Sequence, residues 1–492
     1  MAVGTDAGRI QATPRRRGAV TRRAVLATAV VGGAGVAALR LLGLRPQALT
    51  QSISGGTGWV SPLGNENAQV LQLLRRATFG AGPADLEQAL SDGYQKTLAR
   101  LLETPAAKPP ALPGADDASR TSPLNLRQLQ KWWLDHLLST PTPFAERMAL
   151  FWHGHFTSDF QKVGLQDPYL YWQNQTWRDN ALGDFRSFLY QVTIDPAMLR
   201  YLDLGTSTGQ APNENYAREL MELFTMGAGN FTEDDVRAAA KGLAGWREPN
   251  TAAMLAAQRA NPNVGAAASR VPADTVRTGV FVPRRAYHGG PTTFLGRTAS
   301  YDTKSILDQI FAQPATAPFV VQRVLVDFAM PNAPAATVKR LAANFIRSGW
   351  SIRQLMSDVF TSDEFKSASA YRSLVKQPAE FMAHALRAVD AVALTPLVIE
   401  SASGMGQVLF DPPDVGGWPL NESWVSSNTV IERINFVTRL LASAGSLPAA
   451  TRAHLDQLDG VLSPATAALL NSATTDLERW TIVLASPEFQ LK

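Results

Sequence analysis

The chain has 492 residues, of which 45% are hydrophobic and 18% are charged, a balance typical of folded globular proteins and not of disordered ones. Its formal net charge of +4 is unevenly distributed. Residues 1–48 contain eight arginines and one acid and so carry +7, which leaves −3 for the rest of the chain. That remainder has no basic excess with which to bind nucleic acid. Because no cysteine occurs, disulfides, thiolate metal sites and covalently attached haem are excluded.

The first segment, residues 1–48, has the features of an export signal. A basic region precedes an apolar run from Ala24 to Leu39, which is too short and too weakly apolar for a membrane span. "TRRAVLA" (Thr21 to Ala27) resembles the twin-arginine export motif, with Val25 in place of the usual Phe and Ala27 in place of the usual Lys. We therefore predict export to the periplasm, cell envelope or exterior, with membrane contact through the leader alone. A basic, alanine-rich tail is the alternative.

Helical periodicity predicts most of the chain beyond this leader. After a linker at 49–66, apolar residues with helical spacing begin near Asn67, and Pro83 opens a second helix that Gly93 would close. The remaining segments are an insertion at 104–123, a helical block at 124–246, a low-complexity insertion at 250–275, a β-rich or irregular stretch at 278–296, helices at 303–392, a Gly/Pro loop at 404–419 and two final helices. The pattern predicts an all-α protein, with one large multi-helix domain over 67–492, long loops and at most a short β-hairpin.

One helix start is especially well marked in the sequence. In "FTEDDVRAAAKGLAGW", Thr232 stands at the N-cap and Asp235 follows three residues later, which is the spacing of a capping box. Phe231 and Val236 occupy the positions of a hydrophobic staple around the same turn. These four residues predict a helix that begins at Glu233.

Seven segments, taken in chain order, resemble those of a bacterial family known as domain of unknown function 1800. They are "LLRRATFG", "FWHGHFTS", "NENYARELMELFTMG", "TEDDVRAAAKGLAGW", "FLGR", "MGQVLFDPPDVGGWP" and "SPEFQ". The resemblance covers about residues 67–490 and implies a largely helical, exported protein with no established activity. Relatives are often encoded beside a second, sulfatase-like family, which implies an exported protein partner.

The chain departs from this family pattern in one loop. Many relatives have His-Asp-x-Gly-x-Lys before "FLG", whereas this chain has "HGGPTTFLG", which keeps His288 and lacks the acid and the lysine. His288 is therefore a candidate ligand-binding residue that has lost the two charged companions of the family pattern.

Polar side chains form a narrow stripe on the helix predicted for "NENYARELMELF". Asn215, Arg218, Glu219 and Glu222 fall within about 100° of arc, and apolar residues cover most of the rest. A helix so apolar is predicted to be buried, so its carboxylates need partners. The stripe predicts either a network of ordinary i, i+4 ion pairs or a ligand or metal site. In the second case Glu219, Glu222 and Arg218 are the candidate catalytic residues, and Asn215 binds the ligand.

Two histidines flank Gly154 in "FWHGHF". Gly154 is predicted to end a helix, and an extended turn there would point His153 and His155 in the same direction. Together with nearby acids, two such imidazoles would suit a divalent Zn, Mn or Fe ion. The alternative is that both rings cap the helix and pack against tryptophan.

Aromatic residues are concentrated between Trp132 and Trp177, where five of the eleven tryptophans occur. The group includes Trp152 and predicts either a platform on which a carbohydrate or another polymer stacks, or part of the core. "FDPPDVGGWP" is a separate candidate, because its prolines and glycines fix a loop that presents Asp411 and Asp414. That loop predicts either a pocket wall or a plain turn.

Several common enzyme motifs are absent from the sequence: the Gly-x-Ser-x-Gly elbow, the Walker loop, the dinucleotide fingerprint, His-Glu-x-x-His and the EF-hand loop. Two hypotheses follow. In the first, an exported helical protein binds a divalent metal in a pocket between the Glu219/Glu222 helix and the His153/His155 turn, and it hydrolyses or modifies an envelope or extracellular polymer. In the second, a non-enzymatic secreted scaffold pairs with another exported protein through an exposed apolar patch.

Overall fold

The computed structural model describes residues 59–115, 122–249 and 277–492. The leader and the predicted insertion at 250–275 lie outside these residues, as do parts of the linker and of the insertion at 104–123. Predictions for those segments, including export, therefore stay predictions.

Helices dominate the described residues, so the prediction of an all-α protein is confirmed. The helices are α1 (Glu66–Ala77), α2 (Pro83–Glu103), α3 (Leu126–Ser139), α4 (Pro143–His155), α5 (Phe160–Val163), α6 (Tyr169–Asp179), α7 (Phe185–Thr193), α8 (Pro196–Tyr201), α9 (Asn215–Glu219), α10 (Glu233–Leu243), α11 (Thr303–Phe311), α12 (Thr316–Phe328), α13 (Ala335–Arg347), α14 (Ile352–Thr361), α15 (Pro378–Ala388), α16 (Thr395–Met405), α17 (Ser427–Ser443), α18 (Ala453–Leu458), α19 (Pro464–Ser472), α20 (Asp476–Ala485) and α21 (Pro487–Gln490). A π-helix (Leu220–Thr225) follows α9, and 3₁₀ turns occur at Leu204–Thr206, Pro283–Arg285 and Asn421–Trp424.

The strands form two small antiparallel pairs. β1 (Trp246–Arg247) pairs with β2 (Val280–Phe281), with Trp246 opposite Phe281. β3 (Thr292–Phe294) and β4 (Arg297–Ala299) make a hairpin, in which Thr293 lies opposite Thr298. Both pairs lie at or beside the stretch at 278–296 that the sequence predicts to be β-rich or irregular.

Local capping explains where several helices begin. The Asn65 side chain accepts a hydrogen bond from the Asn67 N–H at the start of α1. The capping box of Thr232 and Asp235 is confirmed at the start of α10. Gly93 breaks α2 where the sequence predicts that the helix closes. Its backbone is non-helical (φ 72°, ψ 179°), and a second helical segment follows this kink and runs to Glu103.

Helix α4 lies at the centre of the molecule. Every residue from Phe144 to His155 except Gly154 is buried, and α4 contacts α1, α2, α3 and α6. A helix that is apolar all round is expected in such a position. It belongs to one continuous cluster of buried apolar residues that extends from Val70 to Phe489.

Two polar residues of α4 carry buried charges. Glu146 is fully buried and pairs with Arg178, while the Trp133 indole N–H donates to Glu146 Oε2 at 2.9 Å and His136 Nε2 lies 3.4 Å from Oε1. Burial alone would raise the pKa of Glu146, but the hydrogen bond from His136 and the charge of Arg178 lower it to about 2. We call these four residues the Glu146 cluster.

The neighbouring residue Arg147 belongs to a second buried group. Its NH2 atom donates to Asp327 Oδ1 at 2.7 Å, and its Nε atom lies 2.6 Å from Glu380 Oε1. Lys492 Nζ lies 2.6 Å from Glu380 Oε1 and 3.2 Å from Asp327 Oδ1. All four side chains are at most 5% exposed. We call this neutral set of two cations and two anions the Arg147 cluster.

Candidate functional site

The helix predicted from "NENYARELMELF" is present as α9 followed by the π-helix. Its apolar residues Tyr216, Leu220, Met221 and Phe224 are fully buried, as predicted. Its acids are not held inside the protein. Glu219 and Glu222 are half-buried and lie at the surface, because the polar stripe faces outward while the apolar arc packs inward. π-helical turns are frequent at functional sites.

The two histidines occupy the interior instead of facing those acids. α4 continues through Gly154 to His155, so the two rings lie two helical positions apart and point in different directions. His153 packs among Trp133, Trp177 and Trp418. His155 stacks with Phe151 and contacts other phenylalanines. The prediction that Gly154 ends the helix is therefore wrong by one residue.

Both imidazoles are engaged by the backbone. His153 Nε2 accepts a hydrogen bond from the Phe410 N–H at 3.0 Å, and His155 Nε2 donates to the Phe224 carbonyl at 3.1 Å. Burial lowers the pKa of each ring to about 3, so both are neutral near pH 7. Among the described residues, no group of three or more His, Asp and Glu side chains could hold a metal ion. This arrangement contradicts a shared Zn, Mn or Fe site at His153 and His155.

His153 fixes the loop that carries the two predicted aspartates. Phe410 has a left-handed backbone (φ 66°), which is uncommon for a bulky residue. The loop is held there because the Phe410 N–H donates to His153 and the Phe410 carbonyl accepts from the Phe160 N–H at 2.9 Å. Gly417 (φ +83°) then approaches α4 so closely that a Cβ atom on it would lie 2.3 Å from the Gly154 carbonyl oxygen.

Acids from three separate segments lie near Tyr201. Burial is the largest cause that raises the pKa of its hydroxyl, and the charges of Asp159, which caps α5, of Asp414 and of Glu219 all raise it further. Hydrogen bonds join the segments: the Thr157 hydroxyl donates to the Val415 carbonyl at 2.6 Å, and Lys162 and Asn215 both donate to Asp203. We call Asp159, Tyr201, Glu219, Glu222 and Asp414 the acidic cluster.

The carboxyl groups of the acidic cluster differ in their electrostatic surroundings. The pKa of Glu219 is raised, first by partial burial and then by the charge of Glu222, and Arg218 offsets this in part. Asp414 is exposed, and its Oδ1 accepts a hydrogen bond from the Gly416 N–H at 2.8 Å. Carboxyl groups held in different surroundings are the usual arrangement of a general acid and a general base.

A second set of polar side chains borders the acidic cluster. Asp203 Oδ2 accepts hydrogen bonds from Asn215 Nδ2 at 3.0 Å and Lys162 Nζ at 2.9 Å. Gln161 Nε2 donates to Asp411 Oδ1 at 2.9 Å. The predicted ligand residues Asn215, Asp411 and Asp414 thus lie on elements that meet around α5. Asp159, Tyr201 and Asp203 were missed by sequence reasoning, although Asp159 directly follows "FWHGHFTS" in a typical N-cap pattern.

Arg218 has a different role from the predicted one. Its NH1 and NH2 atoms each donate to Glu233 at 2.7 Å, and its NH2 atom lies 3.6 Å from Glu214. This bidentate ion pair links α9 to α10 and is a structural contact between the two helices. Arg218 is therefore corrected from a catalytic to a structural residue.

Two further predictions need correction. Trp152 is 1% exposed and packs against Phe156, Phe185 and Phe188, so it cannot bind a ligand at the surface. The other tryptophans of that stretch are also buried (Trp132, Trp133, Trp172 and Trp177), which makes the group core and not a polymer platform.

His288 is exposed, and it lies apart from the other predicted site residues. Its Nε2 atom donates to the Pro283 carbonyl of its own loop at 3.1 Å. That loop contacts the stretch before α9, where the Gly209 N–H donates to the Arg285 carbonyl at 2.6 Å. Among the described residues, the hydrogen bond that His288 makes stays within its own loop and does not reach the acidic cluster.

Asp195 is a buried carboxyl behind α9, and its ionisation should affect how the stability of the protein depends on pH. Its Oδ1 accepts from Gln173 Nε2 at 2.8 Å and from the Met198 N–H at 3.0 Å, whereas Oδ2 has no hydrogen-bond partner among the described residues. Burial raises the pKa of Asp195 from 3.8 to about 7. A raised acid pKa lowers folding stability as pH rises from the unfolded value through the folded one.

We expect Asp195→Asn to gain stability relative to the wild type as pH rises from 4 to 8. The amide keeps the oxygen that accepts both hydrogen bonds and cannot ionise, so the difference in unfolding free energy should grow by roughly 3–4 kcal/mol over this range. Urea unfolding at several pH values measures it. Asp195→Ala is the control, since it also loses the two hydrogen bonds and should be less stable than Asp195→Asn at every pH. A difference that does not change with pH would contradict burial as the cause.

Comparison with known proteins identifies the family to which the chain belongs. Among the described residues, no helix combines the length and the apolar character needed to cross a membrane. No curated protein and no solved structure matches the chain. A family model described as "Protein of unknown function (DUF1800)" matches residues 72–491. The chain therefore belongs to the DUF1800 family.

Proposed function

We propose that this protein is an exported hydrolase that cleaves an ester or glycosidic bond of an envelope or extracellular polymer at the acidic cluster, by general acid–base catalysis. The observation that carries the proposal is that Asp159, Glu219 and Asp414, from three distant segments, are close enough to Tyr201 for their charges to raise the pKa of its hydroxyl. Their segments are held together by the Thr157–Val415, Lys162–Asp203 and Asn215–Asp203 hydrogen bonds. Glu219 and Asp414 lie within stretches on which the family resemblance was identified, and Asp159 directly follows a third, "FWHGHFTS". A metal is not part of this proposal, because the histidines that would have held it face the interior.

Each residue of the cluster has a role that its surroundings support. Glu219 is the proton donor, because its raised pKa favours the protonated form. It gives its proton to the leaving oxygen as the bond to carbon breaks. Asp414 takes a proton from the attacking water, whose oxygen forms the new bond to the same carbon. Asp159 is positioned by the Lys162 N–H, which donates to its Oδ1 atom at 2.7 Å, and Tyr201 lies beside it.

The shape of the region supports a long substrate. Glu219, Glu222 and Asp159 are half-buried and Asp414 is exposed, so the cluster opens at the surface and does not line a closed cavity. A chain-like molecule can pass over such a surface with its reacting bond held at one point. Asn215, Lys162 and Gln161 lie beside it with polar groups that suit hydroxyl-rich ligands. The twin-arginine-like leader supports an extracytoplasmic substrate.

Glu219→Gln is expected to lower hydrolysis by about 100-fold or more, because the amide cannot donate a proton as an acid does. The exported protein would be incubated with a panel of bacterial polysaccharides, cell-wall sacculi and polyesters, and released fragments would be detected by mass spectrometry. Wild-type activity should fall as pH rises through the raised pKa of Glu219, since the acid is then lost.

Glu233→Gln is the matched control, because Glu233 lies on the far side of Arg218 and outside the acidic cluster. It should keep near-wild-type rates. Equal rates in Glu219→Gln and the wild type would refute the assigned role. Wild-type protein that cleaves no polymer but co-purifies in a fixed ratio with another exported protein would support the scaffold hypothesis instead.

A further inference from the structure

A small pocket lies beside the C-terminal end of α4, and Trp418, which also packs against His153, forms part of its wall. It is lined by Leu150, Phe151, Gly154, Arg323, Asp327, Gln377, Trp418 and Leu420, and its cavity volume, measured for a water-sized sphere, is about 20 Å³. The walls come from α4, α12, the start of α15 and the loop after Gly417. None of the residues of the acidic cluster lines it.

Arg323 is the unusual member of this pocket. It is a partly buried guanidinium within the apolar run "FVVQRVLVDF" of α12. No described carboxylate forms an ion pair with it, and its Nε atom is buried without a hydrogen-bond partner. Burial lowers the pKa of Arg323, and the charge of Asp327 only partly offsets this. A guanidinium that is partly shielded from water and has no ion-pair partner is suited to binding an anion.

Asp327 does not supply that anion, because it is already neutralised. Its Oδ1 atom is 2.7 Å from Arg147 NH2 and 3.2 Å from Lys492 Nζ. With Glu380, the Arg147 cluster contains two cations and two anions. Arg323 forms no ion pair with this cluster, so its positive charge faces the pocket without a paired anion among the described residues.

A second hydrogen-bond donor is unused at the same place. Trp418 is 6% exposed, and its Nε1 atom is buried with no hydrogen-bond acceptor among the described residues. Buried indole N–H groups usually have a partner. A Cβ atom added to Gly154 would still lie 4.0 Å from the indole ring, so α4 does not press against the ring at this point.

We infer that this pocket binds the carboxylate group of a small anionic ligand, with Arg323 and Trp418 as the donors. A guanidinium fork matches two carboxylate oxygens in one plane, and the limited space favours a small group over a bulky one. One negative charge would balance the positive charge of Arg323. This site is independent of the proposed hydrolase activity.

The test follows the indole N–H resonances of ¹⁵N-tryptophan-labelled protein during titration with sodium acetate, with sodium chloride at equal ionic strength as the reference. The Trp418 resonance, assigned from Trp418→Phe, should shift and saturate with acetate and not with chloride. Inorganic phosphate tests whether another small anion is preferred. Arg323→Met should weaken acetate binding by at least about tenfold.

Two variants keep the outcome interpretable. Arg340→Met removes an exposed arginine that pairs with Glu364 and should bind acetate like the wild type. Arg323→Lys retains the positive charge but lacks the paired N–H donors of the guanidinium, so it should bind acetate more weakly than the wild type. This variant provides the test if Arg323→Met does not fold. A Trp418 resonance that does not respond to acetate, or that responds equally in the Arg323 variants, would overturn the inference.

Discussion

Replacing Glu146 by glutamine is expected to lower the free energy of unfolding by about 3–5 kcal/mol. The side chain keeps its size, so the loss comes from charge and not from a cavity. Arg178 is 1% exposed and has Glu146 as its ion-pair partner, so the substitution leaves a buried guanidinium uncompensated. Urea-induced unfolding monitored by tryptophan fluorescence would measure the change.

The pH dependence of the same pair gives an independent check. Glu146 has a folded pKa of about 2 against an ordinary value of 4.5. A lowered acid pKa contributes stability that is complete above the unfolded pKa and is lost as pH falls toward the folded one. The wild type should therefore lose roughly 3 kcal/mol between about pH 4.5 and 2 that Glu146→Gln does not lose.

The surface ion pair of Lys131 and Asp135, about half exposed on both sides, provides the control. Lys131→Ala should change stability by less than about 1 kcal/mol. If Glu146→Gln were no more costly than Lys131→Ala, the buried pair would not be a major source of stability. Double substitution with Arg178→Met should cost less than the sum of the single changes, because no charge is then left alone.

Glu380→Gln is expected to have an effect of similar size, about 3–5 kcal/mol. Glu380 receives Lys492 Nζ at 2.6 and 2.8 Å and lies 2.6 Å from Arg147 Nε. Without its charge, two buried cations share Asp327 alone, close to the unpaired Arg323. Thermal and urea unfolding, compared at neutral pH, would measure the loss.

A second substitution should partly restore stability in this background. Lys492→Met combined with Glu380→Gln returns the cluster to one cation and one anion, Arg147 and Asp327, so the double variant should be more stable than Glu380→Gln. Lys492→Met alone should be destabilising, because it leaves two anions for one cation. A double variant less stable than both single variants would show that the contacts matter more than the balance of charge.

Local sequence features predicted much of the fold correctly. The apolar arc of Tyr216, Leu220 and Phe224 identified the buried face of its helix, because helical spacing fixes which side chains share a face. Thr232 and Asp235 marked the start of α10, because a capping box involves only neighbours within one turn. Such signals depend on short stretches of chain and need no tertiary contact.

Partners far apart in the chain could not be predicted in this way. Arg218 bonds Glu233 across two helices, and no spacing rule within "NENYARELMELF" contains that acid. His153 and His155 satisfy backbone groups of Phe410 and Phe224, which are distant in sequence. The position of Gly154 suggested a helix end, yet glycine within a helix is only mildly unfavourable, and the packing of α4 outweighs that preference.

Some missed residues did have a signal. Arg323 and Asp327 interrupt an otherwise apolar helix at positions one turn apart, which is a sign of charges taken into the interior. Asp195 directly precedes Pro196, the usual pattern of an N-cap before a helix start. What the pattern could not show was that the Asp195 carboxyl is shielded from water.

The close approach of Gly417 to Gly154 joins two parts of the molecule that have separate chemistry. Three residues before Gly417 stands Asp414, and one residue after it stands Trp418. Any methyl group added at 417 would have to displace the loop, and both neighbours would move with it. Asp414 and Trp418 therefore cannot change position independently during evolution. A substitution that moves the loop to alter the pocket at Trp418 also moves Asp414 within the acidic cluster.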